Sequence, residues 1–301
     1  MSELPFRARA FGQDWAADLP LTRFDAMNGA VTHRGFEVRR VSQLPQRGII
    51  TRRGRGEIYD DGFRFSWTNV ATFDVQAARQ ISYLPRGGWR GTMPDTFFST
   101  VTALAMAGIG MLPLHASAIE LDGRAFLFAG KAGAGKSTLT AELLAKGARF
   151  IGDDLSVLAP PDGKMGFRVT RGRPLIRLHP ATAALIDAAL CEHAPEDARG
   201  KLLAQPRIRA ADAAYPLAGI FLLGPGPAEV PPSEALRLLP SHLFRPRWLG
   251  AMPGHGQRRA WLLDLAGRVT VRRLAAVDGF DSVARRLRTD AAMAAMADIN
   301  G

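Results

Sequence analysis

Between residues 35 and 75 the chain runs through short stretches in which apolar and polar positions alternate, at 35–41, 48–52, 57–59, 63–67 and 71–75, separated by glycine- and aspartate-rich turns. A period of two puts successive side chains on opposite faces of a pleated strand, so residues 1–92 read as a small β-rich region. The Pro-Arg-Gly-Gly segment at 85–88 marks a hinge, and Asp95 stands where it would cap an apolar helix running to about Gly108. Residues 114–121 alternate again, Asp122-Gly123 supplies a two-residue hairpin turn, and 124–129 is an apolar run of the kind buried in a sheet. From 137 to 146 the apolar positions shift to helical spacing, with Leu139, Leu143 and Leu144 assigned to one face and Gly147 as the stop. A short strand at 148–152 ends in the pair Asp153-Asp154.

Later elements follow from the same patterns. Pro180 after His179 opens a helix, expected over 182–189, and 215–223 reads as a buried strand that extends the sheet. A helical turn at 241–245 precedes Pro246, 260–265 and 268–274 read as a hairpin around Ala266-Gly267, and 282–296 closes as an amphipathic helix.

Between the strand at 124–129 and the helix from 137 lies Gly130-Lys131-Ala132-Gly133-Ala134-Gly135-Lys136-Ser137, followed by Thr138. This is a complete G-x-x-x-x-G-K-S phosphate loop, in the strand, loop, helix order that the motif requires. The glycines let successive backbone N–H groups turn toward phosphates, Lys136 supplies a point charge at the β and γ positions, and the Ser137 hydroxyl can ligate Mg²⁺. Residues 130–138 are therefore assigned to nucleotide binding, with ATP and Mg²⁺ as the expected cofactors. The acidic pair 153–154 arrives about one helix later, sooner than the metal-holding acid of most phosphate-loop proteins. Two carboxylates beside a metal and a triphosphate can divide the labour, one orienting the metal's hydration shell and the other accepting a proton from an attacking hydroxyl. The competing reading is a pair that caps the next turn. His115 heads the strand paired with the one that delivers the loop; taken alone it reads as a structural histidine.

The strings at 114–119, 130–143 and 147–158 together resemble the catalytic core of HPr kinase/phosphorylase, and more closely the related kinases of peptide natural-product clusters, including those acting on lasso peptide precursors. The resemblance is dense over 112–160 and weak elsewhere. It implies a phosphate-loop fold similar to phosphoenolpyruvate carboxykinase and transfer of a γ-phosphoryl group to a serine hydroxyl. By the same resemblance Lys136 would hold phosphate, Ser137 with Asp154 would serve Mg²⁺, and Asp153 would be the base toward the acceptor serine, with His115 beside it; the order of the two aspartates stays open. The bifunctional HPr enzymes carry a glutamate-containing, glycine-rich signature after the acidic pair. Residues 168–180 hold no acidic residue, which argues against phosphorylase activity and against HPr as the substrate. Arg171, Arg173 and Arg177 in that stretch either meet phosphates or an acidic peptide, or form a solvated basic strand. Lys201 is either a phosphate contact or a surface lysine.

Composition adds boundaries. With 301 residues, 47% of them hydrophobic, the chain can bury one large core or two modest ones. Its single cysteine, Cys191, permits no internal disulfide and suits a reducing compartment, and Cys191 with His193 completes no metal site. The first residues lack a signal-peptide core, and the longest apolar run, 103–114, is too short and proline-interrupted to span a bilayer. A cytoplasmic location and no membrane partner are expected. The net charge of +11 comes almost wholly from arginines scattered without aromatic interleaving or a cysteine framework, so nucleic acid is not an expected partner. That field would still attract ATP and acidic peptides. Trp67, Trp89, Phe63 and Phe65 are either core or a peptide-binding surface, and Arg285, Arg286 and Arg288 are expected to face solvent.

The chain is thus expected to be an α/β protein. A phosphate-loop kinase core similar to HPr kinase and phosphoenolpyruvate carboxykinase would occupy 93–301, and a β-rich accessory or substrate-recognition region 1–92. Its expected function is ATP-dependent phosphorylation of a serine in a peptide or small protein, by resemblance a precursor peptide. A nucleotide-gated binding protein and a small-molecule kinase are the alternatives, and self-association is left open.

Overall fold

Nine short strands of the N-terminal region lie side by side in the order Asp25–Ala26, Phe6–Ala10, Gln13–Ala17, Phe36–Arg40, Gln80–Pro85, Ala71–Gln76, Gly62–Trp67, Gly56–Tyr59 and Thr51–Arg53. The computed structural model describes all residues except 1–3, 30–34, 77–78, 90, 163–165, 184–190, 197–199, 276–278 and 301, and the backbone alone at 191–196 and 297–300. The alternation read from the sequence is the alternation observed: in Gly62–Trp67 the rings of Phe63 and Phe65 are buried while Arg64 and Ser66 are partly exposed. Aromatic rings fill the core, with Trp15 stacked on Phe36 at 4.3 Å and Phe24 edge-on to Phe98 at 5.1 Å. Asp74 is fully buried on Ala71–Gln76, where it accepts hydrogen bonds from Arg64 Nε at 2.9 Å and Nη2 at 2.7 Å, with Arg47 Nε at 3.2 Å.

The chain divides into two compact units, 1–113 with 243–260, and 114–242 with 261–301. The boundary expected at residue 92 is therefore displaced. The apolar helix after the hinge begins as a π-helical turn, Phe97–Val101, continues as Thr102–Gly108, and packs on the strand Ala71–Gln76; the Asp95 carboxylate pairs with Arg23. The helix Pro246–Leu249 brings Trp248 within 6.1 Å of Phe63 and 5.5 Å of Phe65. That approach requires glycine at 56, where a Cβ would fall 2.1 Å from the indole and 2.4 Å from the Arg64 carbonyl oxygen. Gly56→Ala is expected to cost about 1–3 kcal/mol, the cost of overpacking a filled site. Denaturant titration checks it: an unchanged midpoint would show that Trp248 steps aside without penalty.

In the second unit, Ala116–Leu121 and Arg124–Ala129 form the expected hairpin, with Leu121 opposite Arg124 around Asp122-Gly123. Neighbours in the sheet run Ser156–Ala159, Arg168–Thr170, Ala214–Leu223, Arg124–Ala129, Ala116–Leu121 and Arg149–Gly152. The long strand Ala214–Leu223 pairs antiparallel with Arg168–Thr170 at its start and parallel with both Arg124–Ala129 and Thr270–Leu274 beyond. A smaller sheet orders Ile176–Leu178, Leu202–Pro206 and Cys191–Glu196. The result is a mixed α/β arrangement built on large sheets. The helix Lys136–Ala145 buries Leu139 and Leu143 against Phe126, Phe128 and Leu287, whereas Leu144 packs with Ala141, Phe150 and Ile176. Leu144 stands about 140° around the helix from Leu139, so the three leucines serve two clusters and not one face.

Several expectations shift. The hairpin expected at 260–274 is a helix, His255–Arg268, followed by the strand Thr270–Leu274. Leu262, Leu265 and Ala266 are buried at helical spacing, and Gly267 sits in the last turn, where its cost is small. The turn before Pro246 is a 3-10 helix, Leu239–His242. Pro180–Ala183 is helical, but the expected continuation lies outside the described residues, as do the side chains of Cys191 and His193. The closing helix, Phe280–Asn300, buries Val283, Ala284, Leu287 and Ala291 while Arg285 and Arg288 are exposed and Arg286 partly so. Among the described residues no helix is long and apolar enough to cross a membrane.

Candidate functional site

The apolar strand Arg124–Ala129 anchors one end of the glycine-rich loop, and the helix Lys136–Ala145 takes over at the other. Gly133 and Gly135 hold φ of 82° and 90°, the left-handed conformation that glycine adopts without strain and that turns the loop into the helix. The first N–H groups of a helix have no partner four residues back, so this end presents donors and the positive end of the helix dipole. Lys131, Ala132, Gly133 and Ala134 are exposed and reachable by a ligand, and Thr138 meets the Thr182 hydroxyl at 3.4 Å. Lys136 is only 8% exposed, and its Nζ donates to the carbonyls of Gly130 at 2.9 Å and Lys131 at 3.2 Å. Burial lowers its pKa, Asp153 and Asp154 oppose the shift, and Lys201 adds to it, which puts Lys201 within electrostatic reach of the loop.

Asp153 follows the strand Arg149–Gly152 and is 3% exposed. Its carboxylate accepts from Ser137 Oγ at 3.1 Å to each oxygen, from Ser117 Oγ at 2.5 Å and from the Arg177 backbone N–H at 3.0 Å. Asp154 takes the left-handed conformation, with φ of 68°, and the chain turns sharply between the two acids. Its carboxylate meets a different set: His115 Nδ1 at 3.3 Å, Arg173 Nη2 at 3.5 Å and Arg177 Nη1 at 3.2 Å. The resemblance pairs Asp154 with Ser137 and Asp153 with His115; the contacts run the other way.

Charge explains the cluster. Burial pushes the Asp154 carboxyl up, but Arg173, Arg177, His115 and Lys136 outweigh it and hold the group below the usual carboxylate range. The stabilisation from this depressed pKa is fully present above the ordinary carboxylate range and is lost as pH falls below that range and through the depressed value. His115 Nδ1 also lies 3.0 Å from the Asp154 carbonyl oxygen, which can only accept, so Nδ1 is the donor in that contact. The carbonyl of His242 accepts the His115 N–H at 2.8 Å. Burial, then Lys136 and His115, depress the pKa of the His242 imidazole, which is neutral at pH 7.

Two residues of this cluster, Ser117 and His242, were not legible as parts of a site. Ser117 lies on the strand Ala116–Leu121, whereas His115, expected to head that strand, sits in the bend just before it; their closeness in sequence was the available signal. Arg173 is 3% exposed and sits on the acidic pair, which rules out the solvated-strand reading for it, while Arg171 donates to the Ala210 carbonyl at 3.1 Å. His242 arrives from a distant turn with no local motif. Among the described residues no three His, Cys, Asp or Glu side chains are grouped to hold a metal. A Mg²⁺ site does not need such a cage: it uses one or two carboxylate or hydroxyl oxygens together with phosphate and water, and the donors at Ser137 and Asp153 fit that chemistry.

No protein-family model matches the chain, and no curated protein matches it. Among solved structures it is similar to the Hpr(Ser) kinase/phosphatase from Coxiella burnetii at 14% sequence identity and a TM-score of 0.25, over 36% of this chain and 63% of that one. The matched region is less than two thirds of the length of that protein.

Proposed function

We propose that this chain is an ATP- and Mg²⁺-dependent kinase that phosphorylates a serine hydroxyl of a peptide or small protein, with a ribosomally made precursor peptide as the preferred acceptor. The observation that carries this reading is the meeting of Ser137, at the end of the glycine-rich loop, with Asp153, at the tip of the next strand, 3.1 Å apart. A loop hydroxyl bonded to a strand-tip carboxylate is what a triphosphate with its metal needs beside a phosphate loop. The serine-peptide acceptor is supported by the sequence resemblance alone.

In this mechanism the amides of 130–138 receive the phosphates and Lys136 Nζ exchanges the Gly130 and Lys131 carbonyls for β- and γ-phosphate oxygens. Ser137 and Asp153 would hold Mg²⁺, which supplies charge neutralisation across the β- and γ-phosphates when bound. Asp153 has its oxygens filled by Ser137, Ser117 and Arg177, whereas the Asp154 side chain is 23% exposed and within reach of an incoming hydroxyl. Asp154 therefore takes the base role and Asp153 the metal role, the reverse of the order implied by the resemblance. The serine Oγ bonds to the γ-phosphorus, the β,γ-bridging P–O bond breaks, ADP leaves, and the serine proton passes to Asp154. His115 and the two arginines orient that carboxylate and balance its charge.

Intact-mass analysis of candidate precursor peptides after incubation with the protein, ATP and Mg²⁺ tests the assignment. The expected result is the mass gain of phosphate, mapped to a serine and absent without protein. Consumption of ATP with a free metabolite and no peptide would make the chain a small-molecule kinase. Binding of ATP without turnover would make it a nucleotide-gated binding protein.

A further inference from the structure

We infer that the N-terminal unit carries a recognition cavity for an acidic peptide segment, one that sets a carboxylate beside an apolar side chain. A cavity of about 630 Å³ opens where the strands Phe36–Arg40 and Gln80–Pro85 end, beside the residues after Gln13–Ala17. Its size is in the range of pockets that enclose small ligands or a few side chains, about 300–1,000 Å³. Asp18, Leu19, Arg40, Tyr83, Pro85 and Trp89 line it.

The polar groups of the cavity sort into those already engaged and one that is not. Arg40 and Tyr83 face each other across the parallel strands. Asp18 spends both carboxylate oxygens inside the wall, one accepting the Tyr83 hydroxyl at 2.8 Å and the other the Arg40 backbone N–H at 2.5 Å. Burial, then the bond to Asp18, pushes the Tyr83 phenol pKa up, so the hydroxyl remains a neutral donor to Asp18. The Arg40 side chain is exposed and makes no hydrogen bond or ion pair among the described residues. Among the described residues that line the cavity, it is the one formal charge left to a ligand. Opposite in character is the apolar wall: Leu19, Pro85 and the half-buried ring of Trp89, edge-on to Tyr83 at 6.2 Å.

A free guanidinium beside an indole selects a carboxylate carried next to an aliphatic or aromatic group. The chain's net charge of +11 disfavours a basic segment and draws in an acidic one. A peptide supplies both chemistries from adjacent residues. Of the aromatic residues offered by the sequence as a peptide surface, Phe63 and Phe65 are core, and Trp89 takes the role. That the bound segment belongs to the phosphate acceptor rests on the function proposed above; binding in the cavity does not.

The test is fluorescence anisotropy with the full chain, no nucleotide, and a fluorescein-labelled peptide alternating Glu with Leu and Phe, against the same peptide with Lys for Glu. The acidic peptide is expected to bind at least about tenfold more tightly, and Arg40→Glu and Trp89→Ala each to weaken it by about tenfold or more. Arg40→Gln and Trp89→Phe guard against misfolding and should weaken binding less. Asp153→Asn should leave binding unchanged. Charge reversal at the exposed Arg52 and Arg53, on the edge strand Thr51–Arg53, should also have little effect. The inference is overturned if the acidic peptide does not saturate, if Arg40→Glu changes nothing, or if reversal at 52 and 53 weakens binding equally, which would mean diffuse charge attraction. Because nucleotide is absent, intact peptide binding with no phosphoryl transfer removes only the kinase reading. Phosphoryl transfer with no peptide binding removes only the cavity.

Discussion

Asp154→Asn is expected to slow phosphoryl transfer by about 10²–10⁴-fold, the usual contribution of a positioned general base, while leaving affinity for Mg²⁺ and ATP nearly unchanged. The amide keeps the shape of the carboxylate but cannot take a proton from the acceptor hydroxyl of the proposed mechanism, and the partners His115, Arg173 and Arg177 remain in place. Asp153→Asn should behave differently. It weakens the grip on Ser137 and on the metal, so its defect should appear as a raised Mg²⁺ requirement, partly recovered at high metal concentration. Single-turnover rates measured across Mg²⁺ concentrations separate the two. If Asp153→Asn loses the chemical step at saturating Mg²⁺ and Asp154→Asn does not, the two roles return to the order implied by the resemblance.

Arg64→Leu should destabilise the N-terminal unit by about 3–5 kcal/mol, the penalty for leaving a buried charge without its partner. Asp74 is fully buried and takes two hydrogen bonds from Arg64, at 2.7 and 2.9 Å. Arg47 remains at 3.2 Å and offsets part of the loss, which places the expected value toward the lower end. The double variant Asp74→Leu with Arg64→Leu should recover most of the stability, because it removes the charge together with its need for a partner. Denaturant titration followed by tryptophan fluorescence reads this unit well, since Trp15, Trp67, Trp89 and Trp248 all belong to it. A loss below about 1 kcal/mol would show that Arg47 or water satisfies Asp74 unaided.

What the sequence made legible was local. The hairpin around Asp122-Gly123, the strand Arg124–Ala129, the loop and the helix from Lys136 all follow from periods and turn residues within a few positions of one another. The site residues Lys136, Ser137, Asp153, Asp154 and His115 are brought into one cluster for the same reason: strand, loop, helix and strand leave few ways to arrange them. Which aspartate meets which partner was not legible, because it depends on the left-handed turn at Asp154 and on Arg173 and Arg177 arriving from about 20 residues later. The membership of residues 243–260 in the N-terminal unit is a long-range fact, resting on Trp248 meeting Phe63 and Phe65. The hairpin misread at 260–274 came from treating Gly267 as a turn when leucine and alanine around it favour helix.

The most direct measurement is equilibrium binding of ATP in the presence of Mg²⁺, by calorimetry, to the wild-type chain and to Lys136→Met. The buried ammonium at the centre of the loop should contribute as a hydrogen bond to a charged group does, so saturable one-to-one binding by the wild type is expected to weaken by about 10- to 100-fold in the variant. No saturable binding by the wild type, or equal affinity in the two proteins, would contradict a triphosphate site at residues 130–138.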